Sequence, residues 1–305
     1  MSQMKMNVGL KSWRNGTNIL DLEVPAQLEA TSRTGLKFFD DAMGGEGMTP
    51  STAMLLTGTP GAGKTTLCLQ LAEAITASGN ICLFNTGEES LFQVRKVAKR
   101  LGMQHGFIAG QDVHVPTMLK HADQLRKANA GRQVFLIADS LQTLDDGKYS
   151  NGGTNSMSQV RATEMITNWC KETFGIAIII GQVTKGGEFA GKQQIKHTVD
   201  AHAHLCIDDK KNSETFGERL FEVQKNRFGP GAEQSAPFAI ATSCTTREKE
   251  ANESHRNELL QDHARPRQAQ EQALEGRHDD HGVPRRRRHH RRPEAAGGQE
   301  LIIST

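Results

Sequence analysis

Several common features are scarce in this sequence, and each absence excludes something. Cysteine is rare: Cys68, Cys82, Cys170, Cys206 and Cys244 are the only five in 305 residues. They are odd in number and widely spaced, with no CxxC pair. Neither a disulfide framework nor a four-cysteine zinc site is expected, and the thiols read as small buried side chains in a reducing compartment. Long apolar runs are also missing. The longest, 134–138 and 176–180, span five residues each, whereas a membrane-spanning helix needs about 20. The N-terminus has no apolar h-region, which points to the cytoplasm rather than export. Charge of one sign is not in excess: 37 Lys and Arg face 35 Asp and Glu, for a net +2. Any nucleic-acid contact must therefore come from local patches. Hydrophobic residues make up 36%, enough for one sizeable core but low for a chain that is globular throughout.

The composition changes near Cys244. Residues 245–305 hold 13 hydrophobic residues in 61, with 12 Arg and Lys, 11 Asp and Glu, and six histidines. Such a stretch cannot bury enough surface to offset its chain entropy, so a disordered basic tail is expected. The run Arg285, Arg286, Arg287, Arg288, His289, His290, Arg291 and Arg292 reads either as an electrostatic handle for nucleic acid or as a solvated tail. The expected layout is an N-terminal extension over 1–30, one catalytic domain over 31–244, and the tail. Within the domain, the short apolar runs 54–57, 81–84, 134–138 and 176–180 look like strands buried on both faces of a parallel sheet. Residues 64–77, 91–101, 116–129 and 158–174 carry helical spacing between them. The later runs 204–207, 219–223 and 238–241 look like strands without intervening helices. An α/β fold with a mostly parallel central sheet, flanking helices and a β-rich C-terminal end follows. No internal repeat is present.

Gly58-Thr59-Pro60-Gly61-Ala62-Gly63-Lys64-Thr65, followed by Thr66, matches G-x-x-x-x-G-K-[ST]. Glycines let backbone N–H groups turn around phosphate oxygens where a Cβ would obstruct them. Lys64 reaches the β- and γ-phosphates and Thr65 ligates Mg²⁺. The motif sits between an apolar strand and a helix, the context it needs, and the helix N-terminus adds its dipole. Asp139 ends the 134–138 strand, where a parallel strand meets such a site, and suits a second magnesium contact. A helix cap is the other reading of an acid there, and Ser140 would serve that role too. Glu88 and Glu89 follow the 81–84 strand. Spacing leaves two readings open for them: activation of water, or favourable acids in the first turn of the next helix. Lys225 and Arg227 are two apart, so on a strand they share a face. Two cations there suit a charge-dispersed phosphoryl transition state, particularly across a subunit interface, or form a solvated basic edge.

These motifs combine with others. Arg33-Thr34-Gly35-Leu36 and Gly44-Gly45 precede the phosphate loop, and Thr86-Gly87-Glu88-Glu89-Ser90 follows it. Gln159-Val160-Arg161, Gly181-Gln182-Val183-Thr184-Lys185, His197-Thr198-Val199-Asp200 and Lys225-Asn226-Arg227-Phe228-Gly229 come later. Together, over about 31–241, they resemble the ATPase core of the RadA (Sms) family, a branch of the RecA-like ATPases. The resemblance implies a RecA-like fold and an Mg²⁺-dependent, DNA-stimulated ATPase acting in DNA repair and recombination. Its partners would be single-stranded or branched DNA and other copies of itself in a ring or filament, a hexamer being expected. It implies that Glu88 is the catalytic glutamate, with Glu89 the lesser candidate. Gln182 would sense the γ-phosphate and relay its state to the DNA loops, and Lys225 and Arg227 would act on a neighbour's nucleotide. The glycine-containing loops 145–157 and 186–196 lie where RecA-like proteins place DNA loops; their only aromatics are Tyr149 and Phe189.

The chain departs from the family in carrying no N-terminal zinc module, in having the basic tail where a Lon-protease-like domain is usual, and in having Gln182 where His is usual. No zinc and no membrane partner are expected. Two other readings share much of the chemistry: a KaiC-like ATPase acting through protein partners, and a phage-type replicative helicase core.

Overall fold

The computed structural model describes residues 19–149, 152–183, 193–209, 215–229 and 235–238. The chain divides into two units, Met1–Glu248 and Lys249–Thr305, and the tail expected over 245–305 lies outside the described residues. Strands β1 (Ala53–Gly58), β2 (Ile81–Thr86), β3 (Ile108–Gly110), β4 (Val134–Asp139), β5 (Ile176–Ile180), β6 (Ala201–Ile207), β7 (Arg219–Asn226) and β8 (Ser235–Phe238) form one sheet in the order β3-β2-β4-β5-β1-β6-β7-β8. From β3 to β6 every pairing is parallel. The β6–β7 and β7–β8 pairings are antiparallel, which is the β-rich end the sequence predicts.

Two core clusters explain the unbroken apolar runs. Met54 and Leu56 of β1 point into one cluster with helices α2 (Lys37–Ala42), α3 (Lys64–Ala77) and α4 (Leu91–Arg100). Ala53 and Leu55 point into the other, with α5 (Val115–Ala128), α6 (Ser156–Thr173) and α7 (Gln193–Thr198). Each central strand thus buries both faces, and polar alternation has no place on it. A short helix α1 (Ala26–Glu29) precedes the domain and buries nothing. Among the described residues no helix is long and apolar enough to cross a membrane.

Local sequence sets the boundaries. Ser90 and Gln93 form a reciprocal capping box at the start of α4. The Asn155 side chain accepts the Met157 and Ser158 N–H groups at the start of α6. Three elements carry no clear sequence signal. β3 is three residues at the sheet edge, steadied by Asn85, whose amide donates to the Asp112 carbonyl at 2.7 Å and accepts the Asp112 N–H at 3.0 Å. Helices α2 and α7 have only six residues each. The last strand is expected at 238–241 but found at Ser235–Phe238; residues 239–241 lie outside the described residues. Of the five thiols, those of Cys68, Cys82 and Cys170 are buried and that of Cys206 is partly buried.

Candidate functional site

Four neighbouring parallel strands, β2, β4, β5 and β1, end on the same edge of the sheet, where α/β proteins bind ligands. β1 runs into the phosphate loop, β2 into Gly87-Glu88-Glu89, β4 into Asp139-Ser140 and β5 into Gly181-Gln182. A cavity of about 410 Å³ lies there, and it brings together the predicted Pro60, Gly61, Gly63, Lys64, Thr65, Thr66, Glu88, Asp139 and Gln182, with Ser140 added.

The glycines of the loop have different tasks. Gly61 and Gly63 adopt φ of +78° and +97°, which glycine tolerates best. A Cβ on Gly61 would meet nothing within 4 Å, so the loop encloses open space fit for phosphate. Gly58 is different. Its Cβ would sit 2.4 Å from the Leu205 carbonyl oxygen, so glycine there lets β1 approach β6. Ala62 is fully buried in the core and Thr59 accepts its N–H at 3.2 Å, so these two shape the loop. The Lys64 ammonium folds back onto the Gly58 and Thr59 carbonyls at 2.8 and 3.1 Å. Burial lowers its pKa from the ordinary lysine value.

Thr65 Oγ1 donates to Asp139 Oδ2 at 2.7 Å, so the two candidate magnesium groups share one spot. Asp139 is buried, and burial pushes its carboxyl up to about 6; Glu88 and Glu89 push the same way, against the Thr65 hydrogen bond and Lys64. A buried carboxyl bonded to a threonine hydroxyl, with the charge of two more acids close by, offers the oxygen donors a hard divalent cation takes. Thr65 and Asp139 fit Mg²⁺ on that ground.

Glu88 is set by its neighbours. Thr86 pairs with Asp139 across β2 and β4, and the Gly87 N–H donates to the Asp139 carbonyl at 2.7 Å. The carboxylate oxygen Oε1 then accepts both the Ser140 hydroxyl and the Gln182 Nε2, the latter at 2.8 Å. Glu89 is not among the residues lining the cavity; one of its carboxylate oxygens is buried without a hydrogen-bond partner, and its backbone carbonyl accepts from Thr86 and Gln111.

Lys225 and Arg227 lie elsewhere. Lys225 is opposite His202, which is opposite Leu55, three residues before Gly58. That places it about 10 Å down the strands from its own phosphate loop. Its ammonium donates to the carbonyls of Lys196, His197 and Val199 at 3.0, 3.4 and 2.6 Å, at the end of α7. Arg227 donates to fully buried Asp200 at 2.9 Å. Asp200 also accepts the Ala53 N–H at 3.2 Å, tying the pair to the start of β1. The intervening Asn226 donates to the Met43 carbonyl at 3.1 Å, beside Gly44-Gly45. A Cβ on Gly229 would sit 2.1 Å from that amide, so two sequence-distant motifs are one packing unit.

Sequence reasoning missed three contributors. Ser140 reads as a cap, yet its hydroxyl goes to Glu88. Arg219 reaches from β7 to the Ala62 carbonyl at 3.1 Å and braces the phosphate loop. Thr143 fills the space beside Gly87. None has a motif; only strand register brings them together. Of the candidate DNA loops, 145–157 is described apart from residues 150 and 151, while 186–192 lies outside the described residues and 193–196 opens α7.

Residues 32–143 match a family model described as "ATPase: KaiC". The chain is 34% identical over 203 residues to the DNA repair protein RadA of Aquifex aeolicus, covering 66% of this chain and 42% of that one. It is 35% identical over 206 residues to that of Mycobacterium tuberculosis strain H37Rv, with 66% and 40% covered. The chain therefore spans about two fifths of the length of these curated relatives. Among solved structures, an ATPase domain superposes with a TM-score of 0.61 at 16% identity, over 70% of this chain and 89% of that one. A DnaB-like replicative helicase gives 0.59 at 16%, over 69% and 61%; both likenesses concern the fold.

Proposed function

We propose that this chain, which carries the RecA-like ATPase core of the RadA family, binds and hydrolyses ATP with Mg²⁺ while bound to DNA, and serves DNA repair and recombination by moving along or remodelling the strand. The observation that carries this is the Glu88 carboxylate, held by Ser140 and Gln182 on the rim of the cavity that also holds Lys64 and the Thr65–Asp139 pair. The phosphate loop binds the triphosphate through backbone N–H groups. Lys64 leaves its two carbonyls for the β- and γ-phosphates. Glu88 orients a water and takes its proton as that water attacks the γ-phosphorus; the bond from that phosphorus to the β–γ bridging oxygen breaks, and ADP leaves with the electron pair. Thr65 and Asp139 would hold Mg²⁺, whose charge would offset that of the phosphate oxygens. Gln182 donates to Glu88 at 2.8 Å; a γ-phosphate oxygen would compete for the same amide, and Gln182 lies four residues before the 186–196 loop. Lys225 and Arg227 are remote from their own phosphate loop, so the nucleotide they serve belongs to a neighbouring copy in a ring or filament, with a hexamer the expected form.

The test is Glu88→Gln. Turnover should fall by about 100- to 10,000-fold with ATP affinity retained; intact turnover would sink the assignment. Measured with and without single-stranded DNA at two salt concentrations, the wild-type rate should rise with DNA and lose that rise with salt. The match to the KaiC-type model favours a second reading, an ATPase coupled to a protein partner. A real ATPase rate indifferent to DNA would select it.

A further inference from the structure

We propose that Tyr149 is a stacking platform for one base of single-stranded nucleic acid, with Arg161 as the side chain that holds the platform in place. This rests on the DNA-binding reading above and adds to it a residue and a mode of contact.

Tyr149 is the only tyrosine in the chain. It lies between a 3-10 turn at Leu141–Thr143, just beyond the Asp139 end of β4, and helix α6. The residue is 40% exposed, so the core does not account for its presence. It is nevertheless fixed at several points. The Arg161 guanidinium lies over one face, 6.0 Å from the ring centroid. Asn155, the residue that caps α6, donates to the Tyr149 hydroxyl at 3.3 Å. The Tyr149 carbonyl accepts the Gly152 N–H at 3.0 Å.

Arg161 is itself oriented. Its Nε bonds the carboxylate of Asp146, whose side chain is 1% exposed, and its Nη2 reaches Ser158 Oγ at 3.4 Å. The turn leading to Tyr149 is also built: Gly147 takes φ of +73°, and a Cβ there would sit 2.7 Å from His114 Nε2.

The arrangement keeps a partly exposed aromatic residue beside a cation held over its ring. Every nucleobase has a π-face that fits such a surface, and stacking needs no particular sequence. In a duplex those faces are already stacked on one another, which selects the single strand. Asp146 neutralises Arg161, so the platform adds contact area with little net charge. The exposed Lys148 ammonium next to it supplies a phosphate contact.

The experiment titrates the full chain against a fluorescein-labelled oligothymidylate of about 20 nucleotides and against an abasic strand of the same length, across a salt series. Tyr149→Ala should weaken binding to the base-bearing strand by about 5- to 150-fold. The slope of log affinity against log salt should be unchanged, because no charge is removed. Tyr149→Phe should bind as wild type, since the ring remains. On the abasic strand all three proteins should bind alike. Equal binding of wild type and Tyr149→Ala to the base-bearing strand would overturn this proposal alone, as would an equal loss on the abasic strand. A wild-type chain that binds neither strand would overturn it together with the DNA-binding reading.

Discussion

Gly87→Ala should disable hydrolysis while leaving nucleotide binding intact, and the size of the effect follows from one close approach. A Cβ at position 87 would lie 2.1 Å from Thr143 Oγ1 and 2.9 Å from Thr143 Cβ. Thr143 cannot simply rotate away, because its hydroxyl donates to the Ser140 carbonyl at 2.8 Å and its Cβ is already too near. Position 87 needs no positive φ, so the alanine imposes no backbone strain of its own; the cost is displacement. Reaching ordinary contact requires a movement of about 1.3 Å, and misplacing a reacting group by about 1 Å costs on the order of 100-fold in rate. The part that moves is the residue just before Glu88, pulled from its 2.7 Å hydrogen bond to the Asp139 carbonyl. The phosphate loop is untouched. A coupled assay for phosphate release should show kcat down about 100-fold with the KM for ATP nearly constant. Thr143→Ala in the same chain removes the 2.1 Å contact and should restore part of the rate. A Gly87→Ala enzyme with kcat within about threefold of wild type would refute the claim that this packing positions Glu88.

Three further outcomes follow from other contacts. Ser140→Ala, which removes a donor from Glu88, should lower kcat about 10- to 100-fold with KM unchanged; a further loss in the Glu88→Gln background would mean that Ser140 acts elsewhere. Burial holds His202 neutral with its pKa pushed down to about 4, and burial lowers His204 in the same sense. The unfolded chain protonates His near 6.5, so stability is complete above that pH and declines as pH falls toward 4, by at most about 3 kcal/mol for His202. Urea unfolding from pH 7 to 4 should show His202→Val with a shallower decline than wild type, and parallel curves would remove His202 as a cause. Gly229→Ala forces Asn226 off the Met43 carbonyl and should cost about 1–3 kcal/mol in stability at constant m-value; an unchanged midpoint would argue against that joint.

The central strands were legible because burial on both faces leaves a continuous apolar run, and β1, β2, β4 and β5 each show one. The phosphate loop, Asp139 and Glu88 were legible because each follows such a run, and parallel strands carry their ends to one edge. β3 was not: Ile108–Gly110 is too short for a pattern and depends on the Asn85 side chain. The reason for Gly58 was hidden as well. The motif explains it through phosphate, whereas the close approach is to Leu205 of β6. Periodicity put Lys225 and Arg227 on one face of a strand, whereas β7 ends at Asn226 and Arg227 lies just beyond it; their partners, the α7 carbonyls and Asp200, depend on how β6 and β7 pair. The Tyr149–Arg161 contact joins two motifs that sequence spacing alone does not bring together.

An ammonium group has three N–H bonds to give. In Lys225 three carbonyls at the end of α7 already take them. A Lys225 that turned toward a neighbour's phosphate, as proposed above, would have to let go of that helix, which begins at Gln193 and so includes the last residues of the 186–196 loop. One side chain then has two mutually exclusive positions. On the proposal that Lys225 serves a neighbouring copy's nucleotide, release of this helix would report whether that copy holds ATP.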